Sequence, residues 1–251
     1  MTLRAQQNHF AAVANQYAAF RPTYPAALIS DIVALAGGPS ITALDVAAGN
    51  GQATIPLAAA CRRVYASDLA LSQIQAMPAL SNVSPYVARA EQTCLSGASV
   101  DVVCVAQAMH WFDVDAFHRE VRRICKPGGV VAVWTYALLH ATPPLTAIID
   151  NLYAETAAHW PADRVHVDNH YATLPFPYQR IAYTPPAMTA AFTQERLRGY
   201  LSTWSGVQRY RKAGHADPVA ARADAIAAAW GQAADATVTF SFDLTVLLGR
   251  V

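Results

Sequence analysis

Short apolar runs separated by helical patterns make up the first half of the chain. The run from Ile41 to Val46, interrupted by Asp45, predicts a strand that is buried on both faces, as in parallel sheets. Val64 to Asp68 and the β-branched run from Val100 to Ala106 predict two more buried strands. Strands that alternate with helical segments in this way predict an α/β fold with a mostly parallel sheet.

A helix and a further strand are predicted after the run at Val100. Apolar residues recur there at helical spacing, namely Phe117, Val121, Ile124 and Cys125. The sequence Pro127-Gly128-Gly129 is expected to end that helix. The apolar residues that lead from there to Trp134 predict the fifth strand of the sheet.

From Trp134 onward the simple repetition of strand and helix stops. Helical patterns cover Thr142 to Ala158, Gln194 to Tyr210 and Pro218 to Trp230, and several prolines separate the first two. The alternation of apolar and polar residues from Thr237 to Leu248 predicts a closing strand.

Length and composition agree with one domain. A chain of 251 residues with 54% hydrophobic residues can bury a single large core. No internal repeat or low-complexity linker divides it, so we expect one domain over residues 1–251. Within that domain we expect a helical lid over about residues 1–30 and a helical cover over about residues 138–234.

The charge pattern narrows the choice of partner. The formal net charge is +1, and the two lysines, Lys126 and Lys212, form no basic stripe of the kind that binds nucleic acid. Arginines cluster at Arg119, Arg122 and Arg123, where a solvated helix face is the favoured interpretation. No apolar run reaches the length of a membrane span. We therefore expect a small-molecule substrate, while the sequence indicates no oligomeric state.

Cysteines and histidines give no sign of a metal or disulfide framework. The four cysteines, Cys61, Cys94, Cys104 and Cys125, lack paired spacing, which favours a reduced, cytoplasmic location. Two histidines flank an acid in the segment His166–His170, but this segment lacks the H-E-x-x-H helix pattern. A solvated loop is the favoured interpretation there, and we expect no metal.

The loop after the first predicted strand carries most of the chemistry, with the sequence Asp45-Val46-Ala47-Ala48-Gly49-Asn50-Gly51. Gly49 and Gly51 lack the Cβ atoms that would keep a ligand away from the backbone. The N–H groups at the start of the next helix would face that ligand. A dinucleotide fingerprint needs a third glycine where Thr54 stands. Asp45 would repel a pyrophosphate and attract a cationic amino-acid tail, so we expect a nucleotide-like cofactor with such a tail.

This loop resembles motif I of class I S-adenosylmethionine-dependent methyltransferases, D-x-G-x-G-x-G, with Ala47 in place of the first glycine. Three further motifs resemble the type 11 methyltransferases, and within them the branch of trans-aconitate and cantharidin methyltransferases. They are Y-x-x-x-R-P-x-Y-P at Tyr17–Pro25, Q-A-x-H-W-F-D at Gln107–Asp113 and the segment Tyr200–Tyr210. The motifs cover nearly the whole chain in order, and residues 138–191 are the least similar part.

The resemblance implies a Rossmann-like sheet of seven mostly parallel strands, with helices on both faces and an antiparallel final strand. It implies S-adenosylmethionine as the cofactor and S-adenosylhomocysteine as its product. Asp68 then accepts the two ribose hydroxyls, and Asp45 helps to hold the amino group. The residues assigned to the cofactor on this basis are Tyr17, Arg21, Asp45, Ala47, Gly49, Gly51, Asp68, Leu69, Gln73, Ala90, Glu91 and Gln107.

The branch that the chain resembles implies O-methylation of a small carboxylic acid. A carboxylate needs no proton removed, whereas a hydroxyl or an amine needs a general base with a pKa near neutral. His110, at the predicted end of the fourth strand, is the candidate base or positioning residue; a histidine hydrogen-bonded at a strand–helix junction is the other interpretation. Arg209 is the candidate for a substrate carboxylate, because a guanidinium binds two oxygens together. The candidate substrate residues are Trp111, Trp134, Tyr136, Trp204, Gln208 and Arg209.

Other functions fit parts of the same pattern. The aromatic candidates would also suit N- or O-methylation of an aromatic or heterocyclic metabolite, although buried aromatic residues more often belong to the core. A nicotinamide oxidoreductase shares the fold, but no tyrosine stands four residues before Lys126 or Lys212. A P-loop phosphotransferase needs a Gly-Lys-Ser/Thr sequence, which is absent. A regulator that binds the cofactor without catalysis is the alternative outside enzymes.

Overall fold

The computed structural model describes residues 20–251 of the chain. Tyr17 and most of the predicted lid lie outside the described residues. The described part of that region contains helix α1, Ala26–Leu35, which buries Leu28, Ile29 and Ile32 against the sheet.

Residues 20–251 form one mixed sheet of eight strands, which confirms the predicted mostly parallel α/β architecture. Strands β1 to β5 pair in parallel, and β8 is antiparallel to β5, as expected for a closing strand. The strand order is β3-β2-β1-β4-β5-β8-β6, and β7 also pairs with β8. The strands are β1 Thr42–Val46, β2 Arg63–Asp68, β3 Val83–Val87, β4 Val100–Ala106, β5 Cys125–His140, β6 Gln179–Arg180, β7 Met188–Phe192 and β8 Val238–Arg250. The eighth strand arises because two short strands, β6 and β7, share the outer edge of β8.

Helices cover both faces of this sheet. Alternate strand residues point to opposite faces, so Ala43 and Val102 join one core while Leu44 and Val103 join the other. Both sets are fully buried, which explains the continuous apolar runs in the sequence. The remaining helices are α2 Thr54–Ala60, α3 Leu71–Ala76, α4 Val114–Ile124, α5 Pro143–Glu155, α6 Arg164–Asp168, α7 Gln194–Ser202, α8 Ser205–Lys212 and α9 Ala223–Trp230.

Three local predictions are wrong in detail. Cys125 begins β5 instead of ending α4, because it pairs with Val100 in the sheet. The predicted helix from Gln194 to Tyr210 is two helices, which separate where the Thr203 side chain bonds the Tyr200 carbonyl oxygen at 2.6 Å. The segment His166–His170 is not a solvated loop, since α6 includes its first three residues and buries Val167.

The first part of the predicted cover, residues 141–187, is attached to β8 at both of its ends. At the end of β5, His140 pairs with Ser241 of β8. The chain then runs through α5 and α6 and returns in β7, where Met188 pairs with Phe242 and Phe192 with Val238. One short stretch of β8 therefore holds both the departing and the returning strand.

One buried acid, Glu120, binds the loop after β3 to helix α4. Glu120 of α4 accepts hydrogen bonds from the Thr93 backbone N–H at 2.8 Å and from the Thr93 hydroxyl at 2.6 Å. Arg123 donates to both carboxylate oxygens, at 2.7 and 2.8 Å. The Arg123 guanidinium and the Thr93 donors lower the pKa of Glu120 to about 2, from an ordinary value of 4.5.

We expect Glu120→Gln to lower the free energy of unfolding by about 1–3 kcal/mol at pH 7, because a buried acceptor of charged donors is lost. Glu120 stabilises the fold above pH 4.5, and this contribution disappears as the pH falls through about 2. Urea unfolding should therefore show a smaller difference between variant and parent at pH 3 than at pH 7. The exposed Glu195→Gln change is the matched control and should alter stability by only a few tenths of a kcal/mol. A pH-independent difference would contradict this role.

Candidate active site

A cavity of about 190 Å³ opens at the carboxyl ends of β1, β2 and β4, where open α/β sheets bind ligands. Its wall is built from four loops, those after β1, β2, β3 and β4, together with Tyr24. The lining residues are Tyr24, Ala47, Ala48, Gly49, Asn50, Gln52, Ala53, Asp68, Leu69, Ala70, Gln73, Ala88, Arg89, Ala90, Glu91, Ala106, Gln107, Ala108, Trp111 and Phe112.

The loop after β1 has the left-handed backbone that its sequence indicates. Ala47, Gly49 and Gly51 have φ of 55°, 57° and 100°. Ala47 thus adopts a conformation that favours glycine, which explains why the resembled motif has glycine at this position. A Cβ on Gly49 would meet only the Gln73 Oε1 atom, at 3.8 Å, whereas one on Gly51 would lie 3.1 Å from Met77 Cγ. Gly49 therefore lines the cavity, and Gly51 lets the loop pack against the residues that follow α3.

Asp68 ends β2 and is held by two backbone donors. Its Oδ2 accepts from the Gly49 N–H at 2.9 Å, and its Oδ1 accepts from the Ala70 N–H at 2.8 Å. Burial raises the pKa of Asp68 above its ordinary value, and these two hydrogen bonds, together with one from the Leu69 backbone, oppose the rise. A carboxylate has about four lone-pair sites, so this fixed carboxylate can still accept from a hydroxyl of a ligand.

Asp45 lies in β1 with no solvent exposure, beside Cys104 of β4 and Ala66 of β2. The Thr54 hydroxyl donates to its Oδ2 at 2.6 Å, while Oδ1 has no hydrogen-bond partner among residues 20–251. Burial raises the pKa of Asp45 to about 7, and the Asp68 charge adds to the rise against the Thr54 hydrogen bond. An acid in this condition favours a nearby cation, which would stabilise its charged form.

The far side of the cavity wall comes from the loop after β3. Glu91 accepts from the Asp113 backbone N–H at 2.9 Å and from Arg89 at 3.2 Å. Glu91 and Ala90 line the cavity, as do Leu69 and Gln73. Four of the residues assigned to the cofactor thus line this cavity.

Gln107 fixes the turn after β4. Its φ of 58° is left-handed, and its side-chain amide is bound to β5 on both sides. Nε2 donates to the Tyr136 carbonyl at 3.1 Å, and Oε1 accepts from the Thr135 hydroxyl at 2.5 Å. The amide is thus engaged with the sheet, and Gln107 lines the cavity in this fixed orientation.

His110 lies in a short 3₁₀ helix, Met109–Trp111, and is turned towards the helical side of the molecule. Its Nδ1 is 2.8 Å from the Tyr171 hydroxyl, and its ring centre is 4.5 Å from that of Trp111. Burial lowers the pKa of His110 to about 3, and the positive charges of Arg164 and His166 add to this effect. The imidazole is therefore neutral at physiological pH, and Trp111, its neighbour, lines the cavity in its place.

The predicted aromatic residues divide between wall and core. Trp111 lines the cavity, but Trp134 and Tyr136 are buried behind Tyr24, whose ring centre is 5.4 Å from that of Trp134. Arg21 extends from the chain ahead of α1 and donates to the Tyr136 hydroxyl at 3.2 Å. Tyr24 was not among the expected site residues, although it belongs to the Y-x-x-x-R-P-x-Y-P motif.

Three substrate candidates from the segment Tyr200–Tyr210 are not among the residues that line the cavity. Trp204 is 3% exposed and packs in the core against Trp160, at 5.6 Å between ring centres. Gln208 donates to the Ser202 carbonyl at 2.6 Å. Arg209 is on α8, which packs against residues 157–159.

Histidines outside the cavity have protein partners. His166 bonds the Thr173 hydroxyl and His170 the Thr245 hydroxyl, each at 2.9 Å. Residues 20–251 contain no group of three or more His, Cys, Asp or Glu side chains that could hold a metal ion. The helices in this range include none that is long and apolar enough to cross a membrane.

Sheet, loop and acids together define an α/β enzyme with a site for an adenosyl cofactor that carries an amino-acid tail. The fixed carboxylate of Asp68 fits a ribose diol, and the backbone at Gly49 leaves room for a ligand. Asp45 is buried behind this wall and is not among the residues that line the cavity, and its Oδ1 has no hydrogen-bond partner among residues 20–251. An acid at this place does not suit the pyrophosphate of a dinucleotide, which would meet the loop.

Comparison with known proteins identifies the family. The profile of the family described as "Methyltransferase domain" matches residues 44–133. A protein from Dictyostelium discoideum that is named as a candidate methyltransferase is 30% identical over 212 residues, 83% of this chain and 81% of the relative. The solved structure of a candidate type II methyltransferase from Anaeromyxobacter dehalogenans has a TM-score of 0.85 and 40% identity, over 92% of this chain and 98% of that chain.

A third relative, CRG1 from Saccharomyces cerevisiae, is named as a candidate S-adenosylmethionine-dependent methyltransferase and is 23% identical over 124 residues, 46% of this chain and 43% of the relative. The chain belongs to the class I S-adenosylmethionine-dependent methyltransferases, and its cofactor is S-adenosylmethionine. This confirms the class of enzyme expected from the glycine loop and Asp68.

We expect Asp68→Ala to weaken S-adenosylmethionine binding by about 1.5–3 kcal/mol, because hydrogen bonds to a charged acceptor are lost. Asp68→Asn retains one acceptor oxygen and should lose less binding free energy than Asp68→Ala. Isothermal titration calorimetry measures the affinity of both variants for S-adenosylmethionine, with the exposed Asp224→Ala on α9 as control. Unchanged affinity in a folded Asp68→Ala protein would remove this residue from the site.

We expect Asp45→Asn to weaken cofactor binding about tenfold or more at pH 8, and by less at pH 6, where Asp45 of the parent is largely protonated. The stability of the free protein should respond in the opposite direction. A raised folded pKa means that the parent loses stability as the pH rises from about 4 to about 7, and the asparagine variant does not. Thermal melts should therefore show the variant as the more stable protein at pH 8. Equal affinities at pH 8 would show that Asp45 does not meet the cofactor's cation.

Proposed function

We propose that this methyltransferase methylates an oxygen of a small carboxylic acid. The observation that carries the proposal is the state of His110, which is bonded to Tyr171 and kept neutral with a pKa of about 3. A base with so low a pKa removes a proton from a hydroxyl or an ammonium group inefficiently at neutral pH. A carboxylate is already ionised and needs no such base.

S-adenosylmethionine supplies an activated methyl group on a sulfonium, so the protein's task is to hold the nucleophile in line and to exclude water. In our proposal Asp45 and Asp68 hold the tail and ribose, and the backbone of Ala47 and Gly49 contacts the ligand. Arg21, Gly51, Leu69, Gln73, Ala90, Glu91 and Gln107 complete the proposed cofactor surroundings. We place the acceptor beside Gln107 and Trp111, which line the same cavity.

An aromatic or heterocyclic acceptor is the second candidate. Tyr24, Trp111 and Phe112 line the cavity, and their rings offer apolar faces to a planar molecule. Such an acceptor, if methylated on a hydroxyl or a protonated nitrogen, would need a general base, and the low pKa of His110 and its bond to Tyr171 do not suit that role. The two candidates therefore differ in whether His110 must remove a proton.

A panel of small carboxylic acids, with the corresponding alcohols and amines, tests the proposal by release of S-adenosylhomocysteine. We expect turnover with acids, and we expect His110→Ala to lower kcat by less than about fivefold with no bell-shaped pH profile. Tyr171→Phe removes the hydroxyl that binds His110 and is the matched control for disturbance of this region. Turnover of hydroxyl or amine substrates alone, with a hundredfold loss of kcat in His110→Ala, would establish the second candidate instead.

A further inference from the structure

One aromatic side chain of the cavity wall comes from outside the four loops and is not among the proposed cofactor surroundings. Tyr24, ahead of helix α1, is 8% exposed and lines the cavity. It belongs to the same apolar core as Trp134 and Ala53, whereas Ala108 belongs to the core on the opposite face of the sheet. Tyr24 therefore closes the cavity from the side of α1 and α2.

The ring of Tyr24 is held in place by its neighbours. Its centre is 5.4 Å from that of Trp134, in an edge-to-face arrangement at 86°, and 6.3 Å from that of Tyr136. Tyr24 also precedes Pro25, the N-cap residue of α1, and a residue before proline is restricted to extended backbone conformations. The ring thus presents a fixed surface to the cavity.

The segment just ahead of Tyr24 is anchored as well. The Phe20 ring lies on Gly199 of α7, where a Cβ would fall 2.4 Å from the ring. The Arg21 guanidinium donates to the Tyr136 hydroxyl at 3.2 Å. Contacts with α7 and β5 therefore hold the backbone that carries Tyr24 over the cavity.

Tyr24 and Asp68 lie at opposite ends of the cavity. The backbone N–H of Gln107, which follows β4, donates to the Trp134 carbonyl at 2.9 Å, so Gln107 lies beside the residue that packs against Tyr24. Asp68 ends β2, and β1 lies between β2 and β4 in the sheet. A cofactor whose ribose binds Asp68 can therefore extend over β1 towards Tyr24.

The charges of the wall are concentrated away from Tyr24. Of the residues within 20–251 that line the cavity, the charged ones are Asp68, Arg89 and Glu91, which end β2 or follow β3. Arg89 donates to Glu91 at 3.2 Å. A positively charged ligand group at the Tyr24 end thus meets no cation of the wall. An aromatic ring attracts such a group, and the attraction is stronger where water is excluded.

We propose that the Tyr24 ring contacts the sulfonium of S-adenosylmethionine and thereby favours the charged cofactor over its uncharged product, S-adenosylhomocysteine. The proposal rests on the cofactor placement given under the proposed function and not on the identity of the acceptor. The sulfonium joins the ribose to the amino-acid tail, so a ribose at Asp68 and a tail at the loop after β1 direct it towards the Tyr24 end. The two ligands differ by one methyl group and one charge, which makes their affinities a direct measure of this contact.

Titration of the protein with each ligand, without an acceptor, tests the proposal. We expect Tyr24→Leu, which keeps apolar bulk without the ring, to raise the Kd of S-adenosylmethionine about 3- to 30-fold and that of S-adenosylhomocysteine by less than about twofold. Tyr24→Phe keeps the ring and should leave the ratio of the two Kd values within about twofold of the parent. Isothermal titration calorimetry at constant pH and ionic strength measures all four constants. If Tyr24→Leu does not fold, Tyr24→Met takes its place with the same expectation.

Tyr183→Leu is the matched control. Tyr183 is half-buried and donates to Asp31 of α1 at 2.8 Å, so its loss disturbs α1 without removing a ring from the cavity and should leave the ratio unchanged. An equal rise for both ligands in folded Tyr24→Leu would show that Tyr24 only shapes the cavity, and unchanged Kd values would show that it does not meet the cofactor. Either result would overturn the proposal.

Two further outcomes have a definite meaning. A shift of the ratio in Tyr24→Phe equal to that in Tyr24→Leu would assign the effect to the hydroxyl and overturn the contact with the ring. Because the titrations contain no acceptor, turnover of alcohols or amines in place of acids would overturn the proposed function and leave the role of Tyr24 intact. Conversely, an unchanged ratio in Tyr24→Leu would leave the result of the acid panel unaffected.

Discussion

The pair of hydrogen bonds on Asp68 is the interaction on which the site depends. One carboxylate joins the loop after β1, through Gly49, to the turn after β2, through Ala70. The loop reaches that bond only because Ala47 and Gly49 take left-handed backbone conformations. The Asp68 carboxylate is thereby held in a fixed position in the cavity wall.

The parts of the site that the sequence predicts are those built from neighbouring residues. Asp45, the loop and Gly49 lie within one strand–turn–helix unit, so their relation is set by local backbone geometry. Asp68 follows because parallel strands in this topology end at the same edge, one crossover after another. The antiparallel closing strand could also be predicted, since it alternates apolar and polar residues whereas the buried parallel strands are continuous apolar runs.

The parts that the sequence does not predict depend on contacts across long stretches of chain. His110 and Tyr171 are 61 residues apart, and their bond requires two consecutive left-handed residues, His170 and Tyr171, which no local pattern announces. Trp134 and Tyr136 are candidates by position at a strand end, yet both are buried in the core beside Tyr24. Tyr24 itself takes its place in the wall from these two residues of β5, which meet it only in the folded protein.

The attachment of residues 141–187 to β8 limits how this segment can move. Because the departing end of β5 and the start of β7 pair with the same two residues, Ser241 and Phe242, the two ends of the segment 141–187 lie on opposite sides of one short stretch of β8. A hinge at one end would have to break sheet hydrogen bonds at the other, so the segment cannot swing away as a rigid flap. Any opening of this segment would therefore come from bending between its two ends and not from rotation of the whole segment.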